Sequence, residues 1–447
     1  MSRLRHIPAV PALVAITLLV TAAVVPAAEA NRTRLSNGVT VITQSSSWNR
    51  IFALAIVVGA GSKYDPPELG GLADLTSRLL AEGTAGHSAM ELAELADAHG
   101  IVMDTFVTAD LAGFHMACID ENADVAVELA AEMLTRPAFD EERLLRTQGD
   151  MLEGIARAHE DARSRNHDEL FELMFADHPY SRPVHGTMNT VENITAGHVR
   201  KFYKSRYAAD NTVISVVGSF SEDEVIDALD DLLSGYEGSS AKWTEPGDVQ
   251  RAVGGFSETY MDVSESRLSV GYLAPPPSRK DYAALRVVAA LMGGGRYSRI
   301  QRALGAEGAG ASCDAMAYVS PAEDASALIV DCGTMDVEAA VDIIEEEAER
   351  LRSEPASDEE IGVARNVVKG TVVIRSQTNL ARALRLATDY VLTGSVDALD
   401  TFVEQVNRVS RDDVLRVARE YLVDPVVAVV RPGRAADHEK RAVARGI

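Results

Sequence analysis

The same order of elements occurs twice in this sequence, 214 to 218 residues apart, so the chain is expected to fold as two similar halves. In the first half, the helical run VAVELAAEMLTRP passes through Pro137 into Asp140-Glu141-Glu142 and a second helix. In the second half, AAVDIIEEEAERLRSEP passes through Pro355 into Asp358-Glu359-Glu360 and another helix. Asp at a helix start accepts hydrogen bonds from free backbone amides, and the acids behind it suit the positive end of the helix dipole. Farther on, Ile194-Thr195 opens a helix closing near Tyr207, followed by the β run Thr212–Val217. Val409-Ser410 opens its counterpart, closing near Tyr421 and followed by Val426–Val430.

Each half also begins with strands. Asn37-Gly38 marks a hairpin, FALAIVVGAG a buried strand, and GIVMDTFVTADLAGFHMACID a hairpin turning at Ala109-Asp110. SRLSVGYLA and SALIVDCG are strands of the second half. Strand runs followed by helix runs predict an α+β fold: two homologous domains, each an antiparallel sheet packed with helices. The Gly- and Ser-rich stretch SGYEGSSAKWTEPGD, Ser234–Asp248, reads as the connection, giving domains at 31–235 and 251–447 around a linker at 236–250.

Arg3 and Arg5 precede an apolar run that ends in Ala28-Glu29-Ala30, the layout of a secretory signal peptide over residues 1–30. Export, in a bacterium to the periplasm, is the expectation, and no other stretch is long enough to span a bilayer. Without Arg3, Arg5 and Glu29 the chain keeps 41 basic residues against 66 acidic. Such a surface repels nucleic acid and favours a partner with a more basic contact face, or basic peptides. The three cysteines, Cys118, Cys313 and Cys332, form no CxxC pair or Cys/His zinc spacing. The strands flanking Pro321–Ala325 are expected to pair as a hairpin with Cys313 near Cys332, where a cross-strand disulfide is possible but geometrically demanding.

From about Arg34 to Arg431 the chain resembles one subunit of the pitrilysin/insulinase-type zinc peptidases, in their branch of short subunits that pair. The landmarks are LSNGVTVI, GAGSKYDPPELGGLADL with LLAEGT, HPYSRPVHGT, RYAADNTVISVVG and GGGRYSRIQRAL. The resemblance implies two α+β domains that help to close a chamber in which peptides are held.

The family's chemistry needs H-x-x-E-H on a helix, whose two His share one face and bind zinc while the Glu activates the metal-bound water. In GLADLTSRLLAEGT the His positions are Asp74 and Arg78 and the Glu position is Ser77. A distal Glu completes the family's ligand set, and its position here is Gly154. Asp74 and Arg78 keep the i, i+4 spacing, with the acid N-terminal. They form either a guanidinium plug where the cation would sit or an ordinary solvated pair worth about 0.3–0.5 kcal/mol; both readings exclude zinc. The family's Arg/Tyr pair, which steadies substrate and oxyanion, falls on Gly305 and Ser312. His87 and His99 read as surface residues, and His178 and His185 as support for a turn. Gly293-Gly294-Gly295 lacks the context of a phosphate loop.

No catalytic residue, metal ligand or cofactor site is therefore assigned. The expected function is a non-catalytic subunit of an exported heterodimer, its partner a homologous zinc-bearing subunit and its cargo peptides or unfolded segments. The alternatives are a stand-alone peptide-binding scaffold on the same fold and an active peptidase with an unrecognised site.

Overall fold

The structure, a computed structural model, describes residues 29–242, 249, 254–306 and 314–433. The expected signal peptide up to residue 28 lies outside them, as do Ser312 and Cys313. In the first half, strands β1 (Asn31–Arg34), β2 (Thr40–Ser45), β3 (Ile51–Val58), β4 (Val102–Val107), β5 (Ala112–Ile119) and β6 (Thr212–Gly218) make one sheet. Its helices are α1 (Leu72–Leu79), α2 (Ala89–Ala98), α3 (Ala123–Thr135), α4 (Glu141–Glu160), α5 (Ala162–Phe175), α6 (Met188–Glu192), α7 (Ala196–Arg206) and α8 (Glu222–Leu232). In the second half, β7 (Phe256–Met261), β8 (Ser266–Ala274), β9 (Asp314–Ser320), β10 (Ser326–Thr334) and β11 (Val426–Pro432) make the other sheet. It is accompanied by α9 (Tyr282–Gly293), α10 (Arg299–Ala306), α11 (Val337–Ser353), α12 (Asp358–Arg375), α13 (Asn379–Thr393), α14 (Ala398–Arg408) and α15 (Arg411–Tyr421).

The strand orders, β1-β2-β6-β3-β5-β4 and β7-β11-β8-β10-β9, coincide once β1 is set aside. The duplication in the sequence is thus a duplication of topology. Both sheets are antiparallel except at one place each, where the last strand returns parallel to the first: β2 with β6, and β7 with β11. Antiparallel neighbours were expected throughout; these two pairs differ because a helical crossover, not a tight turn, brings the last strand back.

Helix starts follow the sequence with one change. Asp140 caps α4, Thr195 caps α7 and Ser410 caps α15. At α12, however, Ser357 is the cap and Glu360 completes a capping box, so Asp358 is the first helical residue. Tyr236, at the start of the expected linker, is buried in the first core, its hydroxyl 2.9 Å from that of Thr212.

The halves hold each other by exchanging helices. α5 lies on the second sheet, where Leu170 and Met174 join a buried cluster with Ile329, Val426 and Ala428. α13 lies on the first sheet, where Ala383 packs with Ala53, Ala55 and Val217. Each helix thereby covers the face that the other half leaves open, and the apolar area so buried helps to join the halves.

The β9–β10 ladder sets Cys332 opposite Ala315. That corrects the expected register, which had Cys313 facing Cys332: the turn sits one residue later in the chain.

Candidate functional site

The short helix α1 is built by two loops meeting it backbone to backbone. Gly71, just before it, has φ +93°, and a Cβ there would come within 2.7 Å of the His185 carbonyl oxygen. Gly186 has φ +75°, and its Cβ would come within 2.1 Å of the Gly70 oxygen. Only glycine allows both conformations and this approach. Asp65 fixes the helix start: its carboxylate accepts from the Gly71 and Ala73 amides at 2.9 Å each. Arg182 donates to the Asp65 carbonyl at 2.8 Å, and Arg206 lies over the Tyr64 ring with its guanidinium carbon 3.4 Å from the centroid. Three of the landmark segments, those holding Asp65, Arg182 and Arg206, therefore form one scaffold around α1.

That scaffold sets His185 against Asp74. Asp74 is 3% exposed. One carboxylate oxygen accepts from Arg78 Nε at 2.9 Å, and the other lies 2.7 Å from His185 Nδ1. Burial pushes the Asp74 carboxyl up, but the hydrogen bonds from His185 and Arg78 outweigh it and hold the group below its ordinary value. His185 is raised, chiefly by its hydrogen bond to Asp74. Of the two readings of the Asp74–Arg78 pair, the ordinary solvated one does not fit, because Asp74 is a buried hub held by two basic neighbours, Arg78 and His185. His185 was read as support for a turn, and its place on Asp74 went unrecognised; no local pattern in the sequence links residues 111 apart.

Ser77 is fully buried, and its Oγ reaches the carbonyl oxygens of Phe106 at 3.1 Å and Gly113 at 3.0 Å. Gly154 sits on α4, which packs against α1, and a Cβ there would meet nothing within 4 Å. Gly305 is exposed on α10. Arg302 of that helix pairs instead with Glu360 at 3.4 Å.

Zinc does not fit this donor set. Both Asp74 oxygens are engaged, a guanidinium that never deprotonates stands 2.9 Å away, and Ser77 and Gly154 supply no ligand. Among the described residues no three His, Cys, Asp or Glu side chains converge as a metal site requires. Asp74 and His185 resemble an acid–base dyad but lack a nucleophile, because the Ser77 hydroxyl is spent on backbone carbonyls.

The pair has a titration signature. Asp74 is lowered, so its share of stability is present above its unfolded value near 3.8 and lost as pH falls through the folded value. His185 is raised, so its share is fully present below its unfolded value near 6.5 and lost as pH rises through the folded value. NMR titration is expected to show His185 above the ordinary histidine range in the native chain. Asp74→Asn is expected to bring it back toward 6.5. An unchanged His185 titration would contradict the contact.

Residues 40–188 match the family described as Insulinase (Peptidase family M16), and residues 193–368 match the family described as Peptidase M16 inactive domain. An uncharacterised zinc protease of Streptomyces coelicolor is 25% identical over 90% of this chain and 89% of its own. The uncharacterised zinc protease YmxG of Bacillus subtilis is 24% identical over 89% of this chain and 97% of its own. Among solved structures, a peptidase M16 inactive domain from Pseudomonas fluorescens superposes with a TM-score of 0.83 at 21% identity, covering 91% of this chain and 98% of that one. A protease from Helicobacter pylori gives 0.82 at 19% identity, covering 91% and 100%. The two family matches succeed one another along the chain, and the fold agrees over nine-tenths of its length. The chain belongs to the insulinase family, peptidase family M16, as a short two-domain member.

Proposed function

We propose that this chain is a non-catalytic subunit of an exported zinc-peptidase-like complex. It pairs with a homologous chain that carries the zinc site and contributes chamber wall and peptide-contacting surface. The observation that supports this reading is the Asp74–Arg78–His185 network, in which Asp74 and Arg78, at the positions that the resemblance matches to the family's zinc histidines, are engaged with each other and with His185. The rest of the fold is well formed among the described residues: both sheets are assembled, Asp140 and Thr195 cap α4 and α7, and Asp65 holds the start of α1. A well-formed fold of this size without a reaction centre acts by binding. The open edge of β4, which packs beside α1, supports peptide holding, because an extended segment can add to such an edge through main-chain hydrogen bonds. Export rests on the leader-like N-terminus; no helix among the described residues is long and apolar enough to cross a membrane.

The purified mature chain is expected to hold no stoichiometric zinc and to cleave no peptide alone. Metal analysis and a peptidase assay test both. About one tightly bound zinc per chain, or cleavage that survives removal of contaminating peptidases, would overturn the reading.

A further inference from the structure

A cavity of about 1840 Å³ lies chiefly in the second half. It runs along β9, the terminal strand of its sheet, between α9, α12 and α13, and reaches the first turns of α5. Its charge opposes that of the whole protein. Six arginines line it against two carboxylates, Asp331 and Asp389, in a chain with 43 basic and 67 acidic residues. Pairing does not cancel the excess. Arg385 meets Asp389 at 2.9 Å, Arg163 meets Asp331 at 3.7 Å, and Arg267 meets Glu265 at 2.7 Å. The other three, Arg286, Arg296 and Arg375, have no ion-pair partner among the described residues. Arg286 lies over the Tyr282 and Phe402 rings, while Arg296 and Arg375 are exposed.

A second observation is independent of charge. Asn166 lines the cavity and is 2% exposed. Its Nδ2 lies 2.6 Å from Ser269 Oγ, which lies 2.6 Å from Asp331 Oδ1. A carboxylate only accepts, so the single Ser269 proton goes to Asp331 and Ser269 must accept from Asn166. The relay therefore fixes the amide orientation. It leaves Asn166 Oδ1 as a buried acceptor without a partner. A backbone N–H, such as an extended peptide offers, is the kind of donor that would satisfy it.

Resting on the peptide-holding reading above, we propose that this cavity takes an extended acidic peptide segment. Arg286, Arg296 and Arg375 meet its carboxylates, and Asn166 Oδ1 accepts one of its backbone N–H groups. The net negative charge of the chain points to basic cargo, but a partly enclosed, arginine-lined cavity sets its own local field and overrides that expectation there.

The test uses the full mature chain and a fluorescein-labelled peptide of about a dozen residues, long enough to run the length of a strand. It carries Glu at alternate positions and is compared with Gln and Lys versions by fluorescence anisotropy. The Glu peptide is expected to bind at least about tenfold more tightly than the Lys peptide, an advantage that shrinks as salt is raised. The double substitution Arg296→Glu with Arg375→Glu is expected to reverse that ranking. Both side chains are exposed, so the fold should persist, and thermal melting checks this. Equal binding of the Glu and Lys peptides, or a ranking that survives the charge reversal, would overturn the acidic-cargo proposal and leave peptide holding intact. Binding of none of the three peptides would overturn both.

Discussion

Replacing Lys63 by Met is expected to destabilise the chain by about 3–5 kcal/mol, read as a shift of the urea midpoint. Lys63 is 3% exposed on the loop between β3 and α1. Its ammonium lies 3.0 Å from Asp110, 2.7 Å from Glu323 and 3.3 Å from Asp324. Asp110 belongs to the first half, and Glu323 and Asp324 to the β9–β10 turn of the second, so one buried cation ties the halves together. Asp110 is as buried as Lys63 and also accepts from the Tyr180 hydroxyl at 2.5 Å and the Glu323 amide at 2.9 Å. Removing the ammonium leaves that carboxylate uncompensated, the costly way to break a buried pair. Adding Asp110→Asn to Lys63→Met is expected to restore part of the loss, and the four-member cycle measures the coupling. A Lys63→Met cost below about 1 kcal/mol, the range of exposed pairs, would show that the contact contributes nothing beyond a surface ion pair.

Restoring the family's catalytic side chains is expected to act in opposite directions at two positions. Ser77→Glu drives a carboxylate into a fully buried space facing two carbonyl oxygens, which repel it. A loss of more than about 3 kcal/mol is expected, as for an unpaired buried charge. Gly154→Glu meets open space on α4 and replaces a glycine inside a helix, so a gain of about 0.5–1 kcal/mol is expected. Thermal or urea melts of the two single variants decide this. A harmless Ser77→Glu would mean that the family's base position is still open here. The combined change Asp74→His, Ser77→Glu, Arg78→His and Gly154→Glu would rebuild a ligand set only by dismantling the Asp74 network. Gly305 would still stand in place of the family's Arg.

The parts of this account that were legible in the sequence have a local signature. The two halves show in repeated helix starts and apolar runs, and Asn37-Gly38 sits in the β1–β2 turn as its residue types demand. Asp74, Ser77 and Arg78 fall on one helix, α1, as the fixed spacing of the motif requires. What escaped the sequence depends on distant partners. His185 reaches Asp74 only because Gly71 and Gly186 let two loops touch. Lys63 gave no sign that it would be buried, since its partners at 323 and 324 arrive with the other half. The exchange of α5 and α13 leaves no pattern either, because an amphipathic helix does not state which sheet it covers. At α12, Ser357 displaced Asp358 as cap because both residue types suit the role, and the box formed with Glu360 decides between them.

Co-expression with a homologous chain from the same host that carries H-x-x-E-H tests the central claim most directly. A stable 1:1 complex is expected, through a large interface of the more than about 2,000 Å² that obligate partners bury, with peptidase activity above that of the zinc-bearing chain alone. A chain that stays monomeric, and neither binds nor stimulates any such partner, would contradict it.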